Sequence, residues 1–209
     1  MPAAATWDAL PLFPLQAVLY PGGLLNLKVF EARYLDLMSA CLRNSTPFGV
    51  VALRSGSEVR RADAPVALYP MGTLATIQAL DAPQAGILTV RCLGGARIRV
   101  TEPRQDAAGL WRAAAQALPD DVAATPPATL QAACTALGHA IEALARQGRK
   151  PFAEPYRLDH AGWVAHRWCE LLPIPLLARQ RLLELDDPQQ RLTLVEQFLR
   201  GQGVIGNAG

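Results

Sequence analysis

The 209-residue chain is short of several things, and each shortage closes off a class of function. Lysine occurs only twice, at Lys28 and Lys150, against 18 arginines. No GxxxxGK[ST] loop is present, so no ATPase P-loop is assigned. Serine occurs four times (Ser39, Ser45, Ser55, Ser57), and none sits in a motif that pairs an activated serine with a lysine. The four cysteines, Cys41, Cys92, Cys134 and Cys169, are far apart and form no CxxC. They read as reduced, partly buried thiols of a cytoplasmic protein, not as a disulfide framework. No apolar run approaches the roughly 18–20 residues of a membrane-spanning helix. The opening MPAAATWDALPLF has neither a basic n-region nor an apolar h-region, so no secretory signal is expected. The net charge of +2 gives no whole-chain attraction to nucleic acid or to an anionic membrane.

What is present is apolar surface. Apolar residues make up 51% and charged residues 18%, which fits one large or two small packed domains. The stretch Leu10 to Tyr34, LPLFPLQAVLYPGGLLNLKVFEARY, organises the rest. It reads as a strand (Leu10–Phe13), a tight turn (Tyr20–Gly23), a second strand (Leu24–Phe30) and a helix from Glu31 to Arg43. Pro21 presets φ and Gly22 and Gly23 tolerate positive φ, which suits a sharp reversal. Met1 to Asp8 reads as a poorly ordered tail.

Phe48 to Leu53 (FGVVAL) reads as a buried strand. Arg54 to Pro65, with the basic pair Arg60–Arg61, reads as an exposed loop. Val66 to Leu80 is strand material broken near Pro70 and Gly72, with Thr73, Ala75, Ile77 and Ala79 on one face. A turn at Asp81–Gly86 precedes strands at Ile87–Cys92, Ala96–Val100 and Leu110–Leu118. Residues 1–118 thus offer six or more strands and one helix, and closing them into a barrel would remove exposed edges.

Pro119 to Pro127 marks a composition shift, and residues 119–209 read as a helical subdomain. Thr125 and Pro126 suit a helix start, with Leu130, Cys134, Leu137, Ile141 and Leu144 as its stripe and Gly148 at its end. Asp159 is expected to cap a second helix, Pro173-Ile174-Pro175 to break it, and a third helix to run over 176–185. Asp187 and Pro188 then open a fourth, which ends near Arg200 before a glycine-rich, frayed tail.

Three clusters invite a chemical reading. His166 and Cys169 share a helix face, but His160 is poorly spaced to join them and structural zinc takes four ligands. Glu184, Asp186 and Asp187 read as a solvated turn with Asp187 as an N-cap. Arg91, Arg97 and Arg99 share strand parity and read as an outward polar face. Residues 1–118 carry eleven basic against eight acidic side chains, net +3, and 119–209 carry nine against ten, net −1. That is mild for RNA binding, and no aromatics alternate with the arginines.

The order LPLFPL, YPG and FEARY resembles the opening of the Lon protease N-terminal domain family. That family has phenylalanine before the PG and proline in the third place of FEPRY, where Tyr20 and Ala32 stand here. Gly72-Thr73-Leu74-Ala75-Thr76-Ile77 and Gly94-Gly95-Ala96-Arg97-Ile98-Arg99-Val100 are similar to two further family segments. ELLPIPLLARQRLLELDDPQQRLTLVEQFL is similar to its helical signature. The resemblance covers roughly Leu10 to Leu199. It implies an α+β fold, a PUA-like β pseudo-barrel followed by a C-terminal α-helical subdomain. It also implies a stand-alone, non-catalytic module that binds client proteins or peptides, with a protease or chaperone as a further partner. The ATPase and protease parts of the family's long members are not expected here, nor is a cofactor, a metal or catalytic residues. An RNA-binding module on the barrel is the alternative. The resemblance and the arginine pattern together nominate Tyr20, Pro21, Phe30, Arg33, Arg97 and Arg99 for partner binding. Phe30 and Tyr34 are expected mostly as core, Arg33 paired to a carboxylate or carbonyl, and Tyr20 in an exposed turn. A boundary between subdomains is a favourable place for a concave peptide site.

Overall fold

The computed structural model describes residues 4–58 and 65–206. The Arg60–Arg61 pair lies outside them. The chain divides into two compact units, Met1–Asp120 and Asp121–Gly209.

The first unit contains β1 (Thr6–Leu15), β2 (Leu24–Val29), α1 (Ala32–Asn44), β3 (Phe48–Ser55), β4 (Ala67–Gln84), β5 (Ile87–Gln105) and β6 (Trp111–Ala117). The strand order is β2-β5-β4-β3-β1-β6, and β6 also pairs with β5. Five strands therefore close into a ring. The long β5 makes closure possible, because its first half pairs with β2 and its second half with β6. β1 and β3 run parallel, Leu12 opposite Gly49 and Leu15 opposite Ala52. Both faces of these two strands are buried. Leu10, Leu12 and Val51 join Ile98, Val100 and Ala113 in one cluster drawn from the ring strands. Phe13, Leu15, Phe48 and Val50 pack with Tyr34 and Met38 of α1 in the other. Burial on both sides is the reason LPLFPL and FGVVAL read as unbroken apolar runs. The Tyr34 ring stacks on Phe13 with centroids 4.2 Å apart.

The turn before β2 is locked to β5 through backbone. Gly22 N–H donates to Gly94 O at 2.8 Å, and Gly94 N–H donates to Gly23 O at 2.8 Å. Gly22 sits at φ 71°, where a side chain would be strained. The Thr73 hydroxyl donates to Leu19 O at 2.6 Å. A Cβ at Gly94 would collide with the Tyr20 carbonyl. Tyr20, expected in an exposed turn, is fully buried here.

Other expectations also shift. β1 begins at Thr6, inside the supposed tail, because Ala117 N–H donates to Ala5 O at 2.8 Å and Trp7 pairs with Ala115. Phe30 is 54% exposed, not core, since it shares the parity of the exposed Asn26 and Lys28 while Leu27 and Val29 face inward. β4 runs unbroken through Pro70, which falls in a register shift between Val51 and Leu53 of β3 where its missing N–H is tolerated. A second shift between Ile77 and Ala79 brings Leu80 onto the same cluster as Ile77, so the expected parity fails beyond Ile77.

The second unit holds α2 (Gln131–Arg146), α3 (Ala161–Leu171), α4 (Leu176–Glu184) and α5 (Pro188–Gly201). A 3-10 turn at Ala128–Leu130 precedes α2, so Thr125 is not its cap; Gln131 Nε2 donates back to Pro126 O at 2.9 Å. His160, not Asp159, caps α3, its Nδ1 accepting from Trp163 N–H at 3.4 Å. Asp187 caps α5 as its position ahead of Pro188 suggests, accepting from Gln189 N–H at 2.8 Å. The glycine-rich tail folds back at its start: Val204 N–H donates to Leu199 O at 2.9 Å and Ile205 is buried.

Arg191 pins this unit. Its side chain is fully buried on α5 and forks onto Asp121, Nη1 to Oδ2 at 2.6 Å and Nη2 to Oδ1 at 3.2 Å. Nε donates to Leu182 O at 2.8 Å, and Nη2 also donates to Leu185 O. A Cβ at Gly162 would strike Asp121, so α3 contributes close backbone packing to the same place.

Removing one partner of a buried pair strands the other charge, so Arg191→Ala is expected to cost about 3–5 kcal/mol in urea unfolding. Gly94→Ala, which forces the turn off β5, is expected to cost about 1–3 kcal/mol by the same measurement.

Candidate functional site

The nominated residues fall at separate places. Tyr20 is buried and Pro21 half-buried in the turn. Arg97 is only 5% exposed, opposite Thr73 in the sheet, whereas Arg91 and Arg99 are exposed. The expected outward row of three arginines is therefore broken at its middle member. Phe30 projects at the entry to α1. Arg33, one turn on, is part-buried and paired as expected. Its Nη2 lies 2.8 Å from Glu31 Oε2, its Nη1 donates to Gly109 O at 2.8 Å, and its guanidinium lies 4.6 Å from the Tyr34 ring centre.

Two open grooves stand out, one on each unit. The first, of about 510 Å³, lies among the start of β1, α1 and the β5–β6 turn. Its apolar lining includes Leu10, Pro11, Leu37 and Leu110, and its polar lining includes Asp8, Arg33, Asp36 and Arg112. Asp106 organises the turn that walls it. Its carboxylate accepts Arg112 Nε at 2.9 Å and the N–H groups of Ala108 and Leu110 at 3.0 Å. The Arg112 hydrogen bond first, then these amides, hold the Asp106 carboxyl below its usual range despite some desolvation. Cys41 also borders the groove, but burial pushes its thiol up, which removes a neutral-pH thiolate nucleophile.

The second groove, of about 490 Å³, runs between α4 and α5. Leu172, Ile174, Ala178, Leu182, Leu194 and Phe198 supply apolar walls, and the Arg181–Glu184 pair at 2.9 Å sits at the rim. Leu194 is 45% exposed, an apolar side chain on the polar flank of α5. That off-stripe leucine was the available sequence signal for this groove. The Leu172–Ile174 wall is held from behind by Arg179, which donates to Leu172 O at 2.9 Å and Ile174 O at 3.2 Å. Next to it, Glu170 Oε1 accepts from the buried Arg167 at 2.8 Å, and Arg167 lies against the Phe152 and Trp163 rings. Burial pushes the Glu170 carboxyl up to about 7, with Arg167 and Arg179 offsetting only part of it.

Glu184 and Asp187 are engaged structurally, Glu184 by Gln180 and Arg181 and Asp187 as the α5 cap. Among the described residues, no group of three or more His, Cys, Asp or Glu is placed to hold a metal ion. No helix among them is long and apolar enough to cross a membrane.

A six-stranded sheet with a closed ring, followed by a helical unit, defines a mixed α+β domain of the Lon N-terminal kind. The crystal structure of a Lon N-terminal domain protein from Xanthomonas campestris superposes with a TM-score of 0.72 at 31% identity, covering 92% of this chain and 99% of that one. The chain belongs to the family of the ATP-dependent protease La (LON) substrate-binding domain, which it matches over residues 9–201. Lon protease 2 of Myxococcus xanthus is 29% identical over 201 residues, 92% of this chain but only 23% of that protein. The N-terminal domain of a Mycobacterium avium complex Lon protease shares the fold, with a TM-score of 0.61 at 13% identity over 91% of this chain and 97% of that one.

The Glu170 carboxyl binds a proton more tightly folded than unfolded, since its ordinary value is 4.5. Its contribution to stability is present at low pH and is lost as pH rises through about 7. Thermal unfolding of the wild type is therefore expected to lose ground to Glu170→Gln as pH is raised from about 5 to about 8.

Proposed function

We propose that this chain recognises protein substrates by holding an exposed apolar segment of an unfolded polypeptide in the α4–α5 groove. Membership of a substrate-binding family supplies the kind of ligand. The observation that carries the site is the groove itself, walled by leucine, isoleucine and phenylalanine and left open with Leu194 at its mouth. An apolar segment leaving water for this groove gains free energy in proportion to the area covered. The bound segment would be passed to a separate protease or chaperone, with this chain acting as an adaptor. The four buried free thiols suit a reducing compartment, so we place that work in the cytosol. The RNA reading has lost a support, because Arg97 is buried within the sheet.

The test is fluorescence anisotropy with a labelled, permanently unfolded protein. Micromolar binding is expected, and Leu194→Glu is expected to weaken it about tenfold, the scale of burying one leucine side chain. No binding at roughly a hundred micromolar, a level at which even weak recognition registers, would remove the proposal.

A further inference from the structure

The barrel groove has a different chemistry from the helical one. Its floor is apolar, with Leu10, Leu37 and Leu110 each less than 10% exposed. Five charged groups at its wall, Asp8, Arg33, Asp36, Asp106 and Arg112, do not count equally. Arg33 is already committed to Glu31 and the Gly109 carbonyl, and Arg112 to Asp106. Asp8 and Asp36 are exposed and make no ion pair among the described residues. Among the described residues the groove therefore presents two uncompensated carboxylates above an apolar floor. Such a field repels a nucleic-acid phosphate or an acidic peptide and attracts a cation. The Arg33 side chain is only 8% exposed and its charge is spent on Glu31, so it does not offset these carboxylates.

We infer that this groove is a second polypeptide site, selective for a segment that pairs an apolar side chain with a neighbouring lysine or arginine. The apolar side chain occupies the floor between β1 and α1, and the cation lies against Asp8 and Asp36. The inference rests on the reading that this chain binds polypeptide, and it adds a charge preference that the α4–α5 groove does not impose.

The experiment uses the full chain and three labelled ten-residue peptides of equal length. One is leucine- and arginine-rich, one replaces arginine by glutamate, and one replaces leucine by serine. Binding is read by anisotropy at low and physiological salt. The leucine–arginine peptide is expected to bind tightest and to weaken with salt. The Asp8→Asn/Asp36→Asn double variant, altered only at exposed positions, is expected to weaken that peptide about three- to tenfold and to leave the glutamate peptide unchanged or improved. Asp8→Lys/Asp36→Lys is expected to turn the preference toward the glutamate peptide. Equal binding of the arginine and glutamate peptides, or undiminished binding of the arginine peptide by the Asn variant, overturns the inference. That result leaves the α4–α5 reading standing, because that site is tested separately by Leu194→Glu. Failure of every peptide and of the unfolded protein overturns both.

Discussion

At Gly94 two backbones come so close that no side chain fits between them. The Leu19–Gly23 turn lies against β5, exchanging hydrogen bonds with Gly94 on both sides. Thr73 from β4 holds the turn at Leu19. Three stretches far apart in the chain, YPGG, Gly72-Thr73 and Gly94-Gly95, thereby meet at one point. The elements beyond the turn take their positions from that meeting. Leu24 pairs with Leu93 directly beyond the lock, so the register of β2 on β5 is set there. A slip of one residue would turn Leu27 and Val29 away from the core. The end of β2 fixes where α1 starts, and α1 carries Arg33, Asp36 and Leu37 into the wall of the barrel groove. The shared motif residues thus act on the surface at one remove, by fixing the elements that carry it.

The second unit is fixed by a charge. Burying Arg191 and Asp121 removes both from water, which costs several kcal/mol per ion unless their hydrogen-bonding capacity is filled. Here the guanidinium finds both carboxylate oxygens and two main-chain carbonyls. Those carbonyls belong to Leu182 and Leu185, at the end of α4 and just after it, and both residues line the α4–α5 groove. An apolar pair of similar volume could fill the same space. It would not position the two carbonyls, and a groove needs fixed walls more than added stability.

Sequence carried the elements further than the surface. The capped start of α5 was legible because Asp187 and Pro188 act within one turn. The strands β1 and β3 were legible because burial on two faces leaves an apolar run. Apart from the caps of α2 and α3 and the exposure of Phe30, the failures are non-local. Tyr20 sits in a turn, and turns are ordinarily exposed; this turn docks its backbone on Gly94, and Tyr20 is fully buried. Arg97 alternates with Ile98 as a polar-face residue should, yet it is buried opposite Thr73, whereas Arg99 two residues on stays exposed. The β4 parity held to Ile77 and then slipped at a bulge that no local signal marked. Leu194 was visible as a leucine off the stripe, but a groove is made by two helices and one residue does not announce the second.

Charge is the clearest case of what folding adds. By sequence the first unit is mildly basic, and the arginines near its motifs attract notice for that reason. In the fold, Arg33 and Arg112 are neutralised by partners that lie beside them, Glu31 and Asp106. Asp8 and Asp36, which no motif singles out, are brought to the same groove from a strand and a helix. The sign of a net count and the sign of a local field can therefore be opposite. What decides the field at a recognition surface is which ions have already found a counter-ion, and that is a property of the folded chain alone.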